Sequence, residues 1–314
     1  MKAVVFGGSG FIGGHVVEQL KLAGHQVTAV VRETSNTQFL ENLGVKVLRI
    51  NYSVPDAIGQ TMIGQDVVYN CTAEAKLGTP ILLEADVEIH LTRKLIEAAA
   101  SQGINRFIQL STIVVYDFRS NEPIDESYVT QPEFPIQELG IARERIVEEI
   151  GRKHGMTTII LRPASTIGTR DKKSFFARLF LAHASDQYPM IDEGDTQITL
   201  VDTRDIGRAM VWLGIYKKPV NDNGIYLLKG FDTTWGQLKR EIDRFSGRIA
   251  QTVDIPATLT DEQMAAYHLN RFAHKTFTVN RIWDDSKIRS LGFNTRYSLD
   301  EAVEVAVHDL LDRQ

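Results

Sequence analysis

Residues 2–24 read KAVVFGGSGFIGGHVVEQLKLAG, and this stretch decides the fold. Its first part, residues 2–6, is an apolar run that predicts a buried strand. The second part, residues 13–23, carries apolar side chains at helical spacing. Between the strand and the helix lie three regularly spaced glycines, which are Gly7, Gly10 and Gly13. The sequence therefore predicts a strand, a tight turn and a helix in immediate succession.

Each of the three glycines has a physical role in such a turn. The first permits the tight turn, the second lets the backbone approach a pyrophosphate, and the third allows close packing of the helix. The N-terminus of the following helix favours negative charge. We therefore predict that the turn binds a dinucleotide, with an ordinary glycine-rich turn as the alternative. The residues expected to line this site are Gly7, Ser9, Gly10, Phe11, Ile12 and Gly13.

The rest of the N-terminal half alternates between apolar strands and amphipathic helices. Further strands are predicted at 26–31, 45–50, 66–71, 106–111 and 157–161. Helices are predicted at 88–101 and at about 140–154. This alternation predicts an α/β fold, a Rossmann-type doubly wound parallel sheet with right-handed crossovers.

The regular alternation breaks down beyond Pro163. Predicted helices follow at 175–183, 205–216, 233–246, 260–268 and 298–312, and short strands at 198–201 and 250–254. We predict a dinucleotide-binding domain over residues 1–168, completed by about 198–230. Residues 169–197 and 231–314 are predicted to form a smaller C-terminal α/β lobe that binds the substrate.

Composition narrows the functional classes. The 314 residues are 43% hydrophobic with a formal net charge of -5, so the chain has no basic field to bind a nucleic acid. No window approaches the run of about 20 apolar residues that spans a bilayer, and no histidine spacing indicates a metal site. The single cysteine, Cys71, lies in an apolar run, which excludes a disulfide framework within the chain. We expect a soluble, cytoplasmic protein that acts on a small molecule.

The spacing Gly-x-x-Gly-x-x-Gly, with Phe11 and Ile12 inside it, resembles that of the extended short-chain dehydrogenase/reductase superfamily. Further segments are similar to later motifs of this superfamily and occur in the same order at 66–73, 110–116, 161–168, 201–209 and 285–293. The resemblance implies an NAD(P)-dependent enzyme of the epimerase/dehydratase type, which transfers hydride to or from a sugar nucleotide or another carbonyl or alcohol compound. It also implies a homodimer formed through helices 88–101 and 140–154.

The end of the second predicted strand bears on the choice of dinucleotide. Enzymes that take NAD place a carboxylate there, on the ribose 2′-hydroxyl, whereas this chain has Val31 followed by Arg32. A guanidinium suits a 2′-phosphate, so we expect NADP, with NAD as the second choice. The alternative is that Arg32 is a solvated side chain paired with Glu33. By resemblance, the other residues that border the cofactor are Asn51, Thr72, Ala73, Arg143, Pro163 and Ser165.

The pattern of the superfamily fails at the expected catalytic centre. Its members combine a Ser or Thr after the fifth strand with a Tyr-x-x-x-Lys pair on the next helix. Thr112 matches the first position, and we expect it to contact the substrate. The best register places Leu139 at the tyrosine and Arg143 at the lysine. Leucine transfers no proton, and a pKa above about 12 excludes arginine as a base, although Arg143 can still bind the nicotinamide ribose. Glu88, where the family commonly has asparagine, is a further departure.

Several groups are candidates for handling the proton in place of the tyrosine. They are Thr112, Tyr116, Glu138, Tyr128 and water. Tyr116 has packing over the site as its alternative role, and Glu138 has an exposed place in the first helical turn.

Three arginines are candidates for binding an anionic or phosphorylated substrate, with surface salt bridges as the alternative. They are Arg143, Arg170 and Arg281. A chain that has lost catalysis would instead be an NADP(H)-binding redox sensor or regulator, or an oligomeric scaffold. The complete C-terminal lobe favours an enzyme, because a sensor needs no substrate pocket.

Overall fold

A sheet of parallel strands organises the chain in a computed structural model that describes residues 1–73, 81–215, 224–267 and 269–313. The strands are β1 (Lys2–Phe6), β2 (Gln26–Arg32), β3 (Lys46–Ile50), β4 (Val67–Asn70), β5 (Arg106–Leu110), β6 (Thr157–Pro163), β7 (Ser165–Ile167), β8 (Tyr188–Met190), β9 (Gln197–Asp202), β10 (Gly224–Leu228), β11 (Phe231–Thr234) and β12 (Thr252–Asp254). The α-helices are α1 (Phe11–Leu22), α2 (Gln38–Asn42), α3 (Ala57–Met62), α4 (Val87–Ser101), α5 (Pro135–Lys153), α6 (Phe175–Ala184), α7 (Thr203–Ile215), α8 (Trp235–Ser246), α9 (Asp261–Ala266), α10 (Arg271–Thr278), α11 (Ser286–Ser290) and α12 (Leu299–Leu311).

The central sheet has seven strands in the order β10-β6-β5-β4-β1-β2-β3, and its pairings are parallel. The chain winds outward from β1 to β3 and then crosses back to β4. The order of the strands therefore reverses between β1 and β4, and ligands of open α/β sheets bind at the carboxyl ends of the strands at such a point. The predicted doubly wound parallel sheet is confirmed.

Two hydrophobic cores lie on opposite faces of this sheet, because successive side chains of a strand point to opposite sides. Ala3 and Val5 of β1 belong to the core formed with α1 and α7. Val4 and Phe6 belong to the core formed with α4 and α5. This burial on both faces is the reason that β1 is apolar throughout rather than alternating.

The remaining strands form two small sheets over a third hydrophobic core. β9 lies between β7 and β11, and β12 pairs with β8. The third core packs α6, α8 and α12 together. The chain then returns to the central sheet, because α7 packs against α1 and β10 pairs with β6.

Helix α5 begins at Pro135, five residues before the predicted start at 140. Proline is favourable in the first turn of a helix, where its missing N–H has no intrahelical partner. The Gln137 side chain accepts hydrogen bonds from the backbone N–H groups of Glu133 and Phe134, at 2.7 and 3.0 Å. Gly140 lies inside the helix for a packing reason, because a Cβ there would come within 2.6 Å of the Val115 side chain.

Other boundaries differ from prediction at the ends of elements. Thr233 and Thr234 close β11, so α8 begins at Trp235, and α10 was not predicted. The predicted ends of two helices, Tyr216 and His268, lie outside the described residues. Among the described residues, no helix combines the length and the apolarity needed to cross a membrane.

Candidate active site

The glycine turn lies where the strand order reverses, between the carboxyl ends of β1 and β4. Gly7 has a φ of +78°, and a Cβ there would meet the carbonyl oxygen of Cys71 at 2.7 Å. A Cβ on Gly13 would lie 2.2 Å from the carbonyl oxygen of Gly7. The turn and α1 can therefore pack this closely only with glycine at both positions.

Gly10 differs from the other two glycines because the space beside it is open. A Cβ there would meet one atom within 4 Å, the carbonyl oxygen of Gly7 at 3.1 Å. Gly10 is also the N-cap of α1, which has no side-chain cap and no acidic residue in its first turn. The first N–H groups of α1 are thus available to an anion, and the open space fits a pyrophosphate. Ser9 is exposed beside Gly10, and Phe11 and Ile12 are half-buried.

Arg32 ends β2 at the same edge of the sheet and is exposed. Its neighbour in the adjacent strand is Ile50, and its charge acts on the Tyr52 hydroxyl. Within the described part of the chain, no ion pair joins Arg32 to Glu33. Asn51, at the end of β3, accepts a hydrogen bond from the Ser53 N–H at 2.9 Å. The guanidinium of Arg32 is therefore available to a ligand at this edge.

The carboxyl end of β4 is organised by a buried amide pair. The Asn70 side chain donates to the Gln109 side chain at 2.9 Å. It accepts from the Thr72 hydroxyl at 2.6 Å and from the Thr72 N–H at 3.1 Å. Thr72 is half-buried and Ala73 is exposed beyond it, at the edge that also carries Gly7.

Arg143 is held by protein acceptors on all sides. Its Nη1 donates to Glu88 at 2.6 Å, its Nε to the Thr92 hydroxyl at 3.0 Å, and its Nη2 to the carbonyl oxygen of Thr72 at 2.7 Å. Both charged side chains are buried, at 8% exposure for Arg143 and 6% for Glu88. Burial lowers the pKa of Arg143, while the Glu88 carboxylate opposes that shift.

Two departures from the superfamily pattern therefore meet in one ion pair. Glu88 lies in the first turn of α4, and Arg143 lies in the middle of α5. Their pairing joins the two helices and ties both to the end of β4. In this arrangement the guanidinium is committed to the protein, which favours a structural role over contact with the nicotinamide ribose.

Leu139 and Thr112 are the residues that the sequence predicts at the positions of the superfamily's tyrosine and of its serine or threonine. Leu139 is buried, at 4% exposure. The half-buried Thr112 starts a short 3₁₀ helix over Ile113–Val115, and its hydroxyl oxygen accepts from the Val114 N–H at 3.1 Å. Among the described residues, no acceptor takes the hydroxyl hydrogen of Thr112.

The half-buried Ser111 and the buried Glu144 form a pair next to Thr112. The Ser111 hydroxyl donates to Glu144 at 2.5 Å. Arg162 holds the same carboxylate through two hydrogen bonds of 2.9 and 2.5 Å. The guanidinium balances the carboxylate charge, so Glu144 fixes the end of β5 rather than serving as a free base.

The other candidate proton donors are committed elsewhere or exposed. Tyr116 is fully buried, its hydroxyl donates to the carbonyl oxygen of Asp125 at 3.1 Å, and burial raises its pKa to about 12. Tyr128 donates to the Asp117 carboxylate at 2.7 Å. Glu138 is exposed in the first turn of α5. These placements favour packing for Tyr116 and a solvated role for Glu138.

The family of this chain is shown by a match that covers most of its residues. Residues 3–227 match the model of the NAD dependent epimerase/dehydratase family. The chain belongs to this family. The match runs from β1 to β10 and so includes the glycine turn, the buried amide pair and the Arg143–Glu88 ion pair.

Curated relatives of this family member are distant. A ketoreductase from Stigmatella aurantiaca that acts on 4-hydroxy-2-methyl-3-oxo-4-farnesyl-3,4-dihydroquinoline-1-oxide is 25% identical over 202 residues, which is 62% of this chain and 58% of the relative. The chain thus spans less than two thirds of that relative's length. A dTDP-glucose 4,6-dehydratase from Streptomyces niveus is 25% identical over 228 residues, 67% of this chain and 68% of the relative.

A solved structure shows the same fold over the whole chain. UDP-glucuronic acid 4-epimerase from Bacillus cereus, in complex with NAD, superimposes with a TM-score of 0.81 and 19% sequence identity. The superposition covers 100% of this chain and 99% of that one. The fold is therefore shared.

The remaining predicted residues lie at different depths. Pro163 ends β6 and is buried, and Ser165 starts β7 and is half-buried. Arg170 donates to Glu18 of α1 at 3.1 Å, and its guanidinium carbon lies 3.9 Å from the centre of the Phe39 ring. These contacts tie α1 to the loop after β7.

Among the described residues, no group of three His, Cys, Asp or Glu side chains is suited to a metal ion.

Some residues that shape the site were missed by sequence reasoning. These are Asn70, Thr92, Gln109, Ser111 and Glu144. A polar residue inside an apolar strand, as at Asn70 and Gln109, is a usable signal, because buried amides need hydrogen-bond partners. For Glu144, the buried face of α5 becomes apparent only when the helix packs on β5 and β6.

Proposed function

We propose that this chain is an NADP(H)-dependent oxidoreductase, which transfers hydride between the nicotinamide and a carbonyl or alcohol carbon of a polar small molecule. The observation that carries the proposal is the glycine turn, with open space at Gly10 and an uncapped α1 at the point where the strand order reverses. Similarity to a ketoreductase and a dehydratase supports this class of reaction.

The residues present fit the dinucleotide. Gly7, Gly10 and Gly13 would hold the pyrophosphate against the N-terminus of α1, and Arg32 would bind the 2′-phosphate. When bound, the nicotinamide gives up or accepts the hydride.

Titration of the purified protein with NADPH and NADH tests the proposal directly. We expect saturable NADPH binding with a dissociation constant in the range of about 1 μM, and saturation by neither dinucleotide would contradict the proposal.

Arg32→Gln should change the choice of dinucleotide. A charge-assisted hydrogen bond to a phosphate contributes about 1.5–3 kcal/mol, so NADPH affinity should fall by roughly 10–100-fold. NADH affinity should stay close to that of the wild type, because NADH lacks the 2′-phosphate. Isothermal titration of both dinucleotides measures the two affinities, with Arg93→Gln, an exposed arginine of α4, as the control. An equal loss for both dinucleotides would remove Arg32 from the 2′-phosphate site.

Proton transfer has to proceed without a tyrosine. Leu139 supplies no hydrogen bond at the usual position, and the hydroxyl of Tyr116 is bonded to the backbone. Thr112 keeps a hydroxyl hydrogen that can be donated to a substrate oxygen. We therefore assign Thr112 to orient the substrate oxygen, while water supplies the proton that this oxygen gains in reduction.

Thr112→Ala should lower kcat/KM by about 100-fold, which is the usual effect of removing one donor from a developing oxyanion. Thr112→Ser should keep most of the rate, since the serine hydroxyl can make both hydrogen bonds. Oxidation of NADPH with a panel of ketones and aldehydes measures the rate, and NADPH affinity should be the same in all three proteins. Turnover that does not respond to Thr112→Ala would exclude Thr112 from the mechanism.

A second candidate function is favoured by Leu139 and by the commitment of Arg143 to Glu88. In this second function the chain would bind NADP(H) without turning it over and would act as a redox sensor or regulator. The two functions differ in one measurement. A sensor binds NADPH and NADP⁺ with different affinities and oxidises NADPH with no member of a carbonyl panel, whereas the oxidoreductase consumes NADPH with at least one of them.

We also propose that the protein is a homodimer that pairs through α4 and α5, two helices that pack against each other. Light scattering across a range of protein concentrations tests this assignment.

A further inference from the structure

Arg281 lies between two aromatic rings. Its guanidinium carbon is 4.2 Å from the centre of the Phe118 ring and 4.9 Å from that of the Trp283 ring. Both rings are almost fully buried, at 7% and 4% exposure. The Nη1 atom of Arg281 is shielded from solvent and has no hydrogen-bond partner among the described residues. This nitrogen has lost water without gaining an acceptor, while Arg281 as a whole is half-buried.

The carboxylate whose charge acts on Arg281, that of Asp117, does not complete this site. Its oxygens accept from Arg119 at 2.8 Å, from the Tyr128 hydroxyl at 2.7 Å and from the Gln131 N–H at 2.8 Å. Asp117 still acts on Arg281 at a distance, but burial outweighs it and lowers the pKa of Arg281 to about 10.

The rings of Phe118, Phe134 and Trp283 form an aromatic cluster that a second cation, Lys275, also contacts. Unlike Arg281, this cation has a carboxylate partner. Lys275 lies over the rings of Phe118 and Phe134 and forms an ion pair with Glu133. Arg119 and Lys275 thus have carboxylate partners in the described part of the chain. Arg281 is the surplus cation of this cluster.

The cluster lies beside the expected substrate region. The Trp283 ring packs on the Tyr116 ring with centres 5.4 Å apart. The carbonyl oxygen of Tyr116 accepts from the Gln137 side chain at 2.8 Å, and Gln137 comes two residues before Leu139 in α5. Thr112 opens the short helix that leads to Tyr116. Arg281 is therefore connected by direct packing to the segment between Thr112 and Leu139.

We propose that Arg281 binds an anionic group of the substrate, a carboxylate or a phosphate. Its guanidinium fork matches either group, and the surrounding rings exclude the water that would weaken the contact. A shielded guanidinium nitrogen without a partner lowers stability, and proteins keep such groups where function needs them. The nature of the reaction rests on the proposed function, whereas the anion site is a property of Arg281 and its neighbours and can be tested without turnover.

The direct test is thermal unfolding in the presence of inorganic phosphate. We expect phosphate to raise the Tm of the wild type, because a ligand of the native state stabilises it. Arg281→Met should abolish most of this rise, and without phosphate its own Tm should be several degrees above that of the wild type. Arg281→Lys should show an intermediate response, since it keeps the charge and loses the fork.

The control is Arg271→Met, at an exposed arginine paired with Asp261. Its response to phosphate should equal that of the wild type. Phosphate bound at the N-terminus of α1 would contribute equally to all these variants, so the difference between Arg281→Met and Arg271→Met isolates the Arg281 site. An identical phosphate response in these two variants would overturn the proposal.

A second measurement separates this proposal from the proposed function. Carbonyl substrates are supplied in matched pairs, one with a carboxylate or phosphate and one neutral. Arg281→Met should reduce the preference in kcat/KM for the anionic member by at least about tenfold, the lower end of what one charged hydrogen bond contributes. An unchanged preference with normal turnover would contradict the Arg281 assignment alone. Complete lack of turnover would contradict the oxidoreductase, while the phosphate titration would still decide the anion site.

Discussion

Arg143→Met should lower the free energy of unfolding by about 3–5 kcal/mol, because it leaves the buried Glu88 carboxylate without the guanidinium. The substitution also removes donors from the Thr92 hydroxyl and from the carbonyl oxygen of Thr72. Urea denaturation of the purified variant measures the loss. The double variant Glu88→Gln/Arg143→Met should be more stable than Arg143→Met, since an uncharged amide is easier to bury than a carboxylate.

Arg93→Gln is the matched control for this prediction. Arg93 and Glu97 form an exposed ion pair on α4 at 3.9 Å, so their separation should cost at most about 0.5 kcal/mol. Wild-type stability in Arg143→Met would mean that the guanidinium is not held by Glu88. The side chain would then be free to bind the nicotinamide ribose, as the resemblance to the superfamily implies.

Gly10→Val should weaken NADPH binding by at least about 100-fold, which corresponds to roughly 2.7 kcal/mol. The physical reason is that the backbone of the second glycine has to approach the pyrophosphate closely. In the protein alone, a Cβ at Gly10 meets only the carbonyl oxygen of Gly7, at 3.1 Å. The loss of affinity should therefore come with little change in Tm. Fluorescence titration with NADPH and thermal unfolding give the two readouts.

Substitutions at two further glycines serve as comparisons for Gly10→Val. Gly13→Ala should destabilise the protein itself, by about 1–3 kcal/mol, because its Cβ would lie 2.2 Å from the carbonyl oxygen of Gly7. Gly59→Val, in α3, is the control for binding, since its nearest neighbour would be the Gln102 side chain at 3.8 Å. NADPH affinity that survives Gly10→Val would place the cofactor somewhere other than the glycine turn.

Local patterns in the sequence were sufficient for six of the seven strands of the central sheet, because apolar runs and the helical spacing between them depend on residues close in the chain. The seventh strand, β10, was not predicted. The start of α5 was predicted at about Gly140 and lies at Pro135, although Pro135 and Gln137 are local signals of a helix start. Gly140 lies inside the helix because of the Val115 side chain, which reaches this position only after the chain has folded.

The site likewise contains residues that could be predicted from local sequence and residues that could not. The place of Arg32 at the carboxyl edge of the sheet could be predicted from the end of one strand, because this edge is known once the strands are known. The partner of Arg143 could not be assigned, since Glu88 lies 55 residues away and nothing local links the two positions. Each residue alone reads as a departure from the family pattern. Packing of α4 against α5 turns the two departures into one buried ion pair.

The sequence by itself determined the doubly wound sheet, the glycine turn and the family, because strand periodicity, helix spacing and glycine geometry act over a few residues. Only the tertiary structure decided which charges are satisfied. Glu88 neutralises Arg143, Glu144 neutralises Arg162, and Arg281 keeps no carboxylate of its own in the described structure. Electrostatic balance depends on distances between side chains from remote segments, and those distances exist only in the folded chain.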